Sequence, residues 1–133
     1  MQGTILIIDD NPAFLALIQE YVLQHHPALT VLTCNDPITC LPRISTDLDL
    51  LLLDLEMPGL DGMKMLEYAK AKGLSKNRII VLSGRDADYL HQRIPLGSCL
   101  AVLNKDEARQ KEVLDMVFTS LERQAGGTSC PTA

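Results

Sequence analysis

The sequence has few aromatic residues and no excess of positive charge. Aromatic residues make up 4% of its 133 residues, tryptophan is absent, and the formal net charge is -5. Flavin sites use aromatic stacking partners, and these are scarce here. A nucleic-acid binder needs clustered Lys and Arg to replace phosphate counterions. We therefore expect no direct nucleic-acid binding by this chain.

Membrane and export signals are also missing. No hydrophobic run approaches the roughly 20 residues that cross a bilayer, and residues 1–4 lack the basic start and long apolar core of a signal peptide. Hydrophobic residues make up 47% of the sequence and charged residues 22%, as in ordinary globular domains. We expect one domain over residues 1–124, a flexible tail or linker over 125–133, no membrane contact and a cytoplasmic location.

The cysteines and histidines form no recognisable metal pattern. Cys34, Cys40, Cys99 and Cys130 include no CxxC pair, which predicts reduced thiols in the core or tail and neither a zinc site nor a disulfide framework. The adjacent His25 and His26 have no acid or cysteine at ligand spacing, so we predict no metal site there.

The most informative stretch is residues 50–62, LLLLDLEMPGLDG. Four consecutive leucines are apolar on both faces of a strand, as a central strand of a helix-covered parallel sheet requires. The run ends in Asp54, at the carboxyl end of the strand, where such sheets bind their ligands. A turn then follows, with Pro58 and Gly59. Asp54 is therefore predicted on a rigid strand, facing a loop-lined pocket.

The rest of the chain alternates strands with helices. Asn11 with Pro12, and Asp36 with Pro37, have the order of an N-cap and a first helical residue, and Gly73 is a predicted helix C-cap. The alternation predicts an α/β fold, a flavodoxin-like doubly wound (βα)5 with a five-stranded parallel sheet in the order 2-1-3-4-5. The predicted strands are residues 4–9, 29–34, 50–54, 79–83 and 100–104, and the predicted helices start near residues 12, 37, 62, 86 and 106.

Acids, a hydroxyl group and a lysine lie at the carboxyl ends of predicted strands 1, 3, 4 and 5, which share one edge of this sheet. Three carboxylates close together cannot all stay ionised without a cation, and a few oxygen ligands with room for water suit Mg2+. A carboxylate on a rigid strand can act as a nucleophile toward a phosphoryl group, while a hydroxyl and an ammonium group hold the other oxygens. The converging residues are Asp9, Asp10, Asp54, Ser83 and Lys105.

With these residues the chain resembles the receiver domains of bacterial two-component response regulators, from Thr4 to about Arg123. The resemblance rests on the acid pair after strand 1, Asp54 followed by MPGLDG, Ser83-Gly84 after strand 4, and Lys105 after strand 5. It implies that Asp54 accepts a phosphoryl group from a histidine kinase or a histidine phosphotransfer protein. It also implies that Ser83 and Lys105 bind that group.

The resemblance further implies a metal site and an output surface. Asp10, Asp54 and the backbone carbonyl of Glu56 would bind Mg2+, with Asp9 acting through water. Phosphorylation would shift the face formed by the fourth helix, the fifth strand and the fifth helix toward a downstream effector or output domain, and the family also allows a homodimer. The chain would be a phosphoacceptor and not an enzyme. It departs from the family in Val102, where a switch aromatic is usual, and in Asp106, where a proline is common.

Two further hypotheses concern the pocket mouth and the class of protein. Glu56 and Arg85 follow neighbouring strands at similar positions, which predicts an ion pair that screens the acyl phosphate from water. The alternatives to a phosphorylated switch are a haloacid-dehalogenase-like phosphatase, a flavodoxin, and a degenerate receiver that only binds proteins. The phosphatase needs Asp where Glu56 stands, and the acids Asp9 and Asp10 would repel a flavin phosphate.

Overall fold

The computed structural model describes residues 3–55, 62–84, 92, 99–104 and 109–127, with the side chains of 37, 62, 109, 110 and 124–127 excepted. Its centre is one sheet of five parallel strands in the order β2-β1-β3-β4-β5, which confirms the predicted fold and strand order. The strands are β1 (Gly3–Ile8), β2 (Leu29–Cys34), β3 (Leu50–Asp54), β4 (Ile79–Ser83) and β5 (Ala101–Asn104).

The middle of the sheet is apolar on both faces. Every residue of β3 and β4 is buried, as expected for strands covered by helices on two sides. In the register of the sheet, Ile8 pairs with Leu53 and Leu53 with Val81. The parallel strands therefore end together, and the residues after β1, β3 and β4 share one edge.

The first helix, α1 (Pro12–His25), begins as the sequence predicts. The side chain of Asn11 accepts hydrogen bonds from the backbone N–H groups of Ala13 and Phe14, at 3.0 and 3.3 Å. Hydrophobic spacing in the sequence predicts that this helix buries a stripe of Phe14, Leu17, Ile18, Tyr21 and Val22. The prediction is partly wrong, because the Leu17 side chain is 59% exposed. Leu15 takes its place beside Ile18 and Val22, since the i, i+3, i+7 set faces the sheet more directly.

The next two helices are short. The second, α2 (Pro37–Cys40), has one turn and continues as a 3-10 turn (Leu41–Arg43), as expected from a proline at position 42. The third, α3 (Gly62–Ala71), is followed by Gly73, whose φ is +99°. There the N–H of Leu74 bonds to the carbonyl of Ala69 at 3.1 Å, the reverse turn that closes many helices on glycine.

A longer helix, here called the C-terminal helix (Arg109–Gly127), packs on the same sheet face as α1. Hydrophobic spacing in the sequence predicts that this helix buries a stripe of Leu114, Val117, Phe118 and Leu121. Leu114 and Phe118 are buried in the core there, with Val117 and Leu121 packed against it, so this prediction is confirmed. The opposite face is covered by α3 through Met65 and Leu66. The sheet thus has a hydrophobic core on each side, as the fold class requires.

Several predictions lie outside the described residues. These are the fourth helix except for Gln92, the Glu56–Arg85 ion pair, and the placement of Lys105 and Asp106. They stay predictions, as does the division of the chain at residue 124.

Candidate functional site

Three aspartates meet at the carboxyl edge of the sheet. Asp9 and Asp10 follow β1, and Asp54 ends the neighbouring strand β3. Each offers one carboxylate oxygen to a group whose members all lie within 4.8 Å of one another. Asp9 is fully buried, Asp54 is 3% exposed, and Asp10 is exposed to solvent. The structure therefore places two carboxylates inside the protein and one at its surface, around a common point.

Backbone hydrogen bonds hold the chain at the end of β1. The N–H of Asp9 donates to the carbonyl of Cys34 on β2, at 3.1 Å. The Asp9 carboxylate then accepts the N–H of Asn11, at 2.9 Å, and Asn11 caps α1. Asp9 thus has a second role, which is to fix the turn between strand and helix, so that the acids and the helix start are set together.

The end of β3 is held by hydrogen bonds to β4, the strand on the side away from β1. The N–H of Leu55 donates to the carbonyl of Leu82 at 2.9 Å, which continues the pairing of Asp54 with Leu82. Ser83 is the next residue of β4 and is fully buried, in register with Asn104 of β5. Ser83 therefore ends the strand beside that of Asp54, as predicted. Glu56 and Lys105 are the two predicted site residues that lie outside the described part of the chain.

The chemistry of this cluster favours a hard cation. A buried carboxylate loses its hydration, and like charges nearby increase the cost of ionisation. A divalent ion offsets both effects, and the donors gathered here are carboxylate oxygens, which Mg2+ prefers to nitrogen or sulfur. Among the described residues, no other group of three or more His, Cys, Asp or Glu side chains has this arrangement. The residues present thus fit a magnesium ion.

The expectation of reduced thiols is wrong for one pair of cysteines. Cys34, the last residue of β2, and Cys40, the last of α2, form a disulfide with a Cα–Cα distance of 5.9 Å. Spacing alone did not reveal it, because the one-turn helix between them reverses the chain and returns Cys40 to the strand. Cys99 is a free thiol, and burial raises its pKa despite the smaller opposing effect of Lys70. Cys130 lies outside the described residues.

Comparison with known proteins identifies the family. The family model of the response regulator receiver domain matches residues 5–118, so the chain belongs to that family. The nitrate/nitrite response regulator protein NarL of Escherichia coli is 38% identical over 83 residues, which are 61% of this chain and 38% of that protein. The glycerol metabolism activator of Pseudomonas putida is 32% identical over 96 residues, 71% of this chain and 43% of that protein. The chain therefore spans less than half the length of these curated relatives.

Solved structures show the same fold. The signal receiver domain of a DNA-binding response regulator from Colwellia psychrerythraea has a TM-score of 0.72 and 20% identity, over 89% of this chain and 99% of that one. The receiver domain of a sensor histidine kinase from Pseudomonas aeruginosa, solved with a magnesium ion coordinated in its active-site cleft, has a TM-score of 0.71 and 20% identity, over 92% and 98%. The chain therefore belongs to the receiver family and not to the haloacid-dehalogenase or flavodoxin families.

Proposed function

We propose that this receiver domain is a phosphorylation-controlled signalling switch in which Asp54 is the phosphoacceptor. The observation that carries the proposal is the position of Asp54, at the end of a buried strand and within 4.8 Å of two further carboxylates. A nucleophile on a central strand has a fixed direction of attack, which is the main requirement for in-line phosphoryl transfer.

The metal in this proposal is Mg2+. Asp10 and Asp54 would bind it directly, the backbone carbonyl of Glu56 would complete the protein ligands, and Asp9 would act through water. When bound, the ion neutralises charge on the oxygens of the transferring group. Asp9 is fully buried next to the site, and the hydrogen bond that its carboxylate accepts from the N–H of Asn11 keeps the side chain from turning away.

The reaction is a transfer from nitrogen to oxygen. A carboxylate oxygen of Asp54 attacks the phosphorus of a phosphohistidine on a histidine kinase or phosphotransfer protein. The O–P bond forms as the N–P bond breaks, and the bonding electrons return to the imidazole nitrogen, which is then protonated. Ser83 donates its hydroxyl to one phosphoryl oxygen and Lys105 pairs with another. The chain is the acceptor in this reaction and turns over no separate substrate, so we do not propose it as an enzyme.

The output is a change of shape that a partner reads. A phosphoryl group shifts the equilibrium only if it binds one conformation better than the other. The proposed output face includes β5 and the C-terminal helix, and its partner is a downstream effector, an output domain or a second copy of the chain. Val102 on β5 is partly buried against the core beside α3. Because valine has no ring to move between inside and outside, the coupling at this position must use a smaller displacement than in aromatic-containing relatives.

The location proposed is the cytoplasm. None of the helices within the described residues is long and apolar enough to cross a bilayer, and the acidic balance of the sequence supports protein partners over direct contact with nucleic acid.

The test is the intact mass of the protein after incubation with Mg2+ and acetyl phosphate. The proposal predicts a gain of one phosphoryl group in the wild type and none in Asp54→Asn or in the presence of a chelator. Asp47→Asn is the matched control, because Asp47 is an exposed carboxylate in the loop before the same strand. Equal labelling of Asp54→Asn and Asp47→Asn would reject Asp54 as the acceptor, and no labelling of the wild type would leave the protein-binding scaffold as the better function.

A further inference from the structure

The Cys34–Cys40 disulfide lies beside the acidic site, because the carbonyl of Cys34 accepts the N–H of Asp9, and it ties the segment of residues 35–43 to the end of β2. Between residues 35 and 43, Cys40 is the one buried side chain among those described. Ile38, in the middle of α2, is 76% exposed. Leu41 packs against the core and Arg43 bonds to the carbonyl of Thr33. The disulfide adds a covalent attachment to these contacts, so its redox state changes how firmly the segment is held.

A surface cleft gives access to the disulfide from solvent. The cleft has a volume of about 430 Å³, lies between α1 and the segment that follows β2, and is lined by Cys34, Thr39 and Arg43 among others. Cys34 is 7% exposed, whereas Cys40 is 0% exposed. Cys34 lines the cleft and Cys40 does not, so Cys34 is the member of the pair that a thiol in the cleft would approach.

The cleft also carries a positive charge. The guanidinium group of Arg43 donates a hydrogen bond to the carbonyl of Thr33 at 3.1 Å, which holds its cation against the strand end that precedes Cys34. Arg43 is itself exposed to solvent. A small anionic molecule in the cleft would have its carboxylate near this group while its thiol faces the disulfide.

The reduced form fits the same backbone. The Sγ atom of Cys34 lies 3.5 Å from the carbonyl oxygen of Asp36 and 3.7 Å from the hydroxyl of Thr39. A thiol at this position would donate to an oxygen that is already in place. Both redox states are therefore compatible with the fold, as a reversible pair requires.

We propose that Cys34 and Cys40 form a redox-active pair that exchanges with anionic low-molecular-weight thiols of the glutathione class. The thiolate attacks Sγ of Cys34, a mixed disulfide forms, and Cys40 leaves as a thiolate that takes a proton. A second thiol attacks the sulfur of the bound molecule and releases the Cys34 thiol. The balance is one protein disulfide and two thiols giving two protein thiols and one small disulfide, and oxidation is the reverse. Intracellular disulfides are most often of this exchangeable kind.

The sequence makes the pair easy to follow. No Lys or Arg precedes Arg43, so trypsin releases Cys34 and Cys40 together in peptide 1–43, separate from Cys99 and Cys130. The full-length protein is equilibrated at a series of ratios of reduced to oxidised glutathione, quenched with acid and labelled with N-ethylmaleimide after denaturation. Mass spectrometry then counts the labels on peptide 1–43.

The proposal predicts no labels on peptide 1–43 in oxidising mixtures, two in reducing mixtures and a transition between these limits. Circular dichroism should show a folded protein in both states. Two labels at every ratio would show that the sulfurs only pack together. No labels in excess dithiothreitol under native conditions would show a permanent structural bridge. Either result would overturn the proposal.

The role of the positive charge in the cleft is tested separately. The measurement is the rate at which small thiols reduce the Cys34–Cys40 disulfide of the oxidised protein. Arg43→Gln should slow reduction by glutathione about two- to fivefold, as expected for one exposed charge pair, and leave reduction by the cationic thiol cysteamine unchanged or faster. Arg123→Gln is the control, because Arg123 is an exposed arginine on the C-terminal helix. Equal effects of Arg43→Gln on both thiols would contradict the preference for an anionic partner.

Discussion

The Nε2 atom of His26 lies 2.8 Å from a carboxylate oxygen of Asp115, although 89 positions separate them in the chain. The other ring nitrogen lies 2.9 Å from the carboxylate of Glu122, and the Tyr21 hydroxyl donates to Asp115 at 2.6 Å. The ring packs edge-on against Phe118. The buried ring of His26 therefore joins the end of α1 to two carboxylates of the C-terminal helix.

We expect this connection to stabilise the fold. Replacing His26 by Gln removes the ring that contacts both carboxylates and Phe118, and the free energy of unfolding should fall by about 1–3 kcal/mol. Urea unfolding followed by circular dichroism measures the change. His25→Gln is the matched control, because His25 is the neighbouring exposed histidine and should change stability by less than about 0.5 kcal/mol. A similar loss in the free energy of unfolding in both variants would contradict a specific stabilising role for His26.

The same cluster predicts a specific acid sensitivity. Hydrogen bonds from Tyr21, and then from His26, hold the pKa of Asp115 below its ordinary value of 3.8. A carboxylate with a lowered folded-state pKa contributes stability above its unfolded-state pKa and loses it as the pH falls toward the folded-state value. Stability should therefore fall more steeply below pH 3.8 in the wild type than in Asp115→Asn. If the stability of the two proteins falls in parallel with pH, the pKa of Asp115 is not lowered by folding, and the prediction is wrong.

In the absence of metal, the carboxylates of the acidic site should repel one another and destabilise the folded protein. Asp9→Asn removes one of three like charges and can keep the hydrogen bond from Asn11. The apo protein should therefore be about 0.5–2 kcal/mol more stable in this variant than in the wild type. Adding Mg2+ should raise the melting temperature of the wild type, because the ion binds the folded state, and should raise that of Asp9→Asn less. A larger Mg2+ effect in the variant would exclude Asp9 from the site.

Glycine is required at the end of α3. The backbone of Gly73 has φ of +99°, and an added Cβ would lie 3.1 Å from Cγ2 of Thr46. We expect Gly73→Ala to cost about 1–2 kcal/mol of stability, as at other left-handed helix ends. Ala71→Gly gives a comparison in the last turn of the same helix, where glycine should be the destabilising residue by about 1 kcal/mol. Unchanged stability in Gly73→Ala would contradict this conformational requirement.

Local signals predicted local structure well. Asn11 and Gly73 mark helix ends because the groups they satisfy lie within a few residues of them, and the leucine run before Asp54 could be read as a buried strand. The meeting of Asp9, Asp10 and Asp54 followed from the rule that parallel strands end together.

Contacts between distant segments could not be predicted from the sequence in the same way. The partners of His26 lie on another helix, and their direction depends on how α1 crosses the sheet. The Cys34–Cys40 pair depends on a one-turn helix whose reversal of the chain is set by packing. The exposure of Leu17 also depends on how α1 packs on the sheet, because hydrophobic spacing does not distinguish two overlapping stripes on one helix. The roles of Glu56, Ser83 and Lys105 stay predictions.

The most direct test of the account locates the phosphoryl group. The protein is incubated with Mg2+ and acetyl phosphate, the acyl phosphate is reduced with borohydride to mark its position, and tryptic peptides are sequenced by mass spectrometry. Asp54 lies in the peptide of residues 44–64, apart from Asp9 and Asp10 in peptide 1–43. We predict a mark on Asp54 alone, absent without Mg2+. A mark on Asp9, Asp10 or another carboxylate, with Asp54 unmodified, would contradict it.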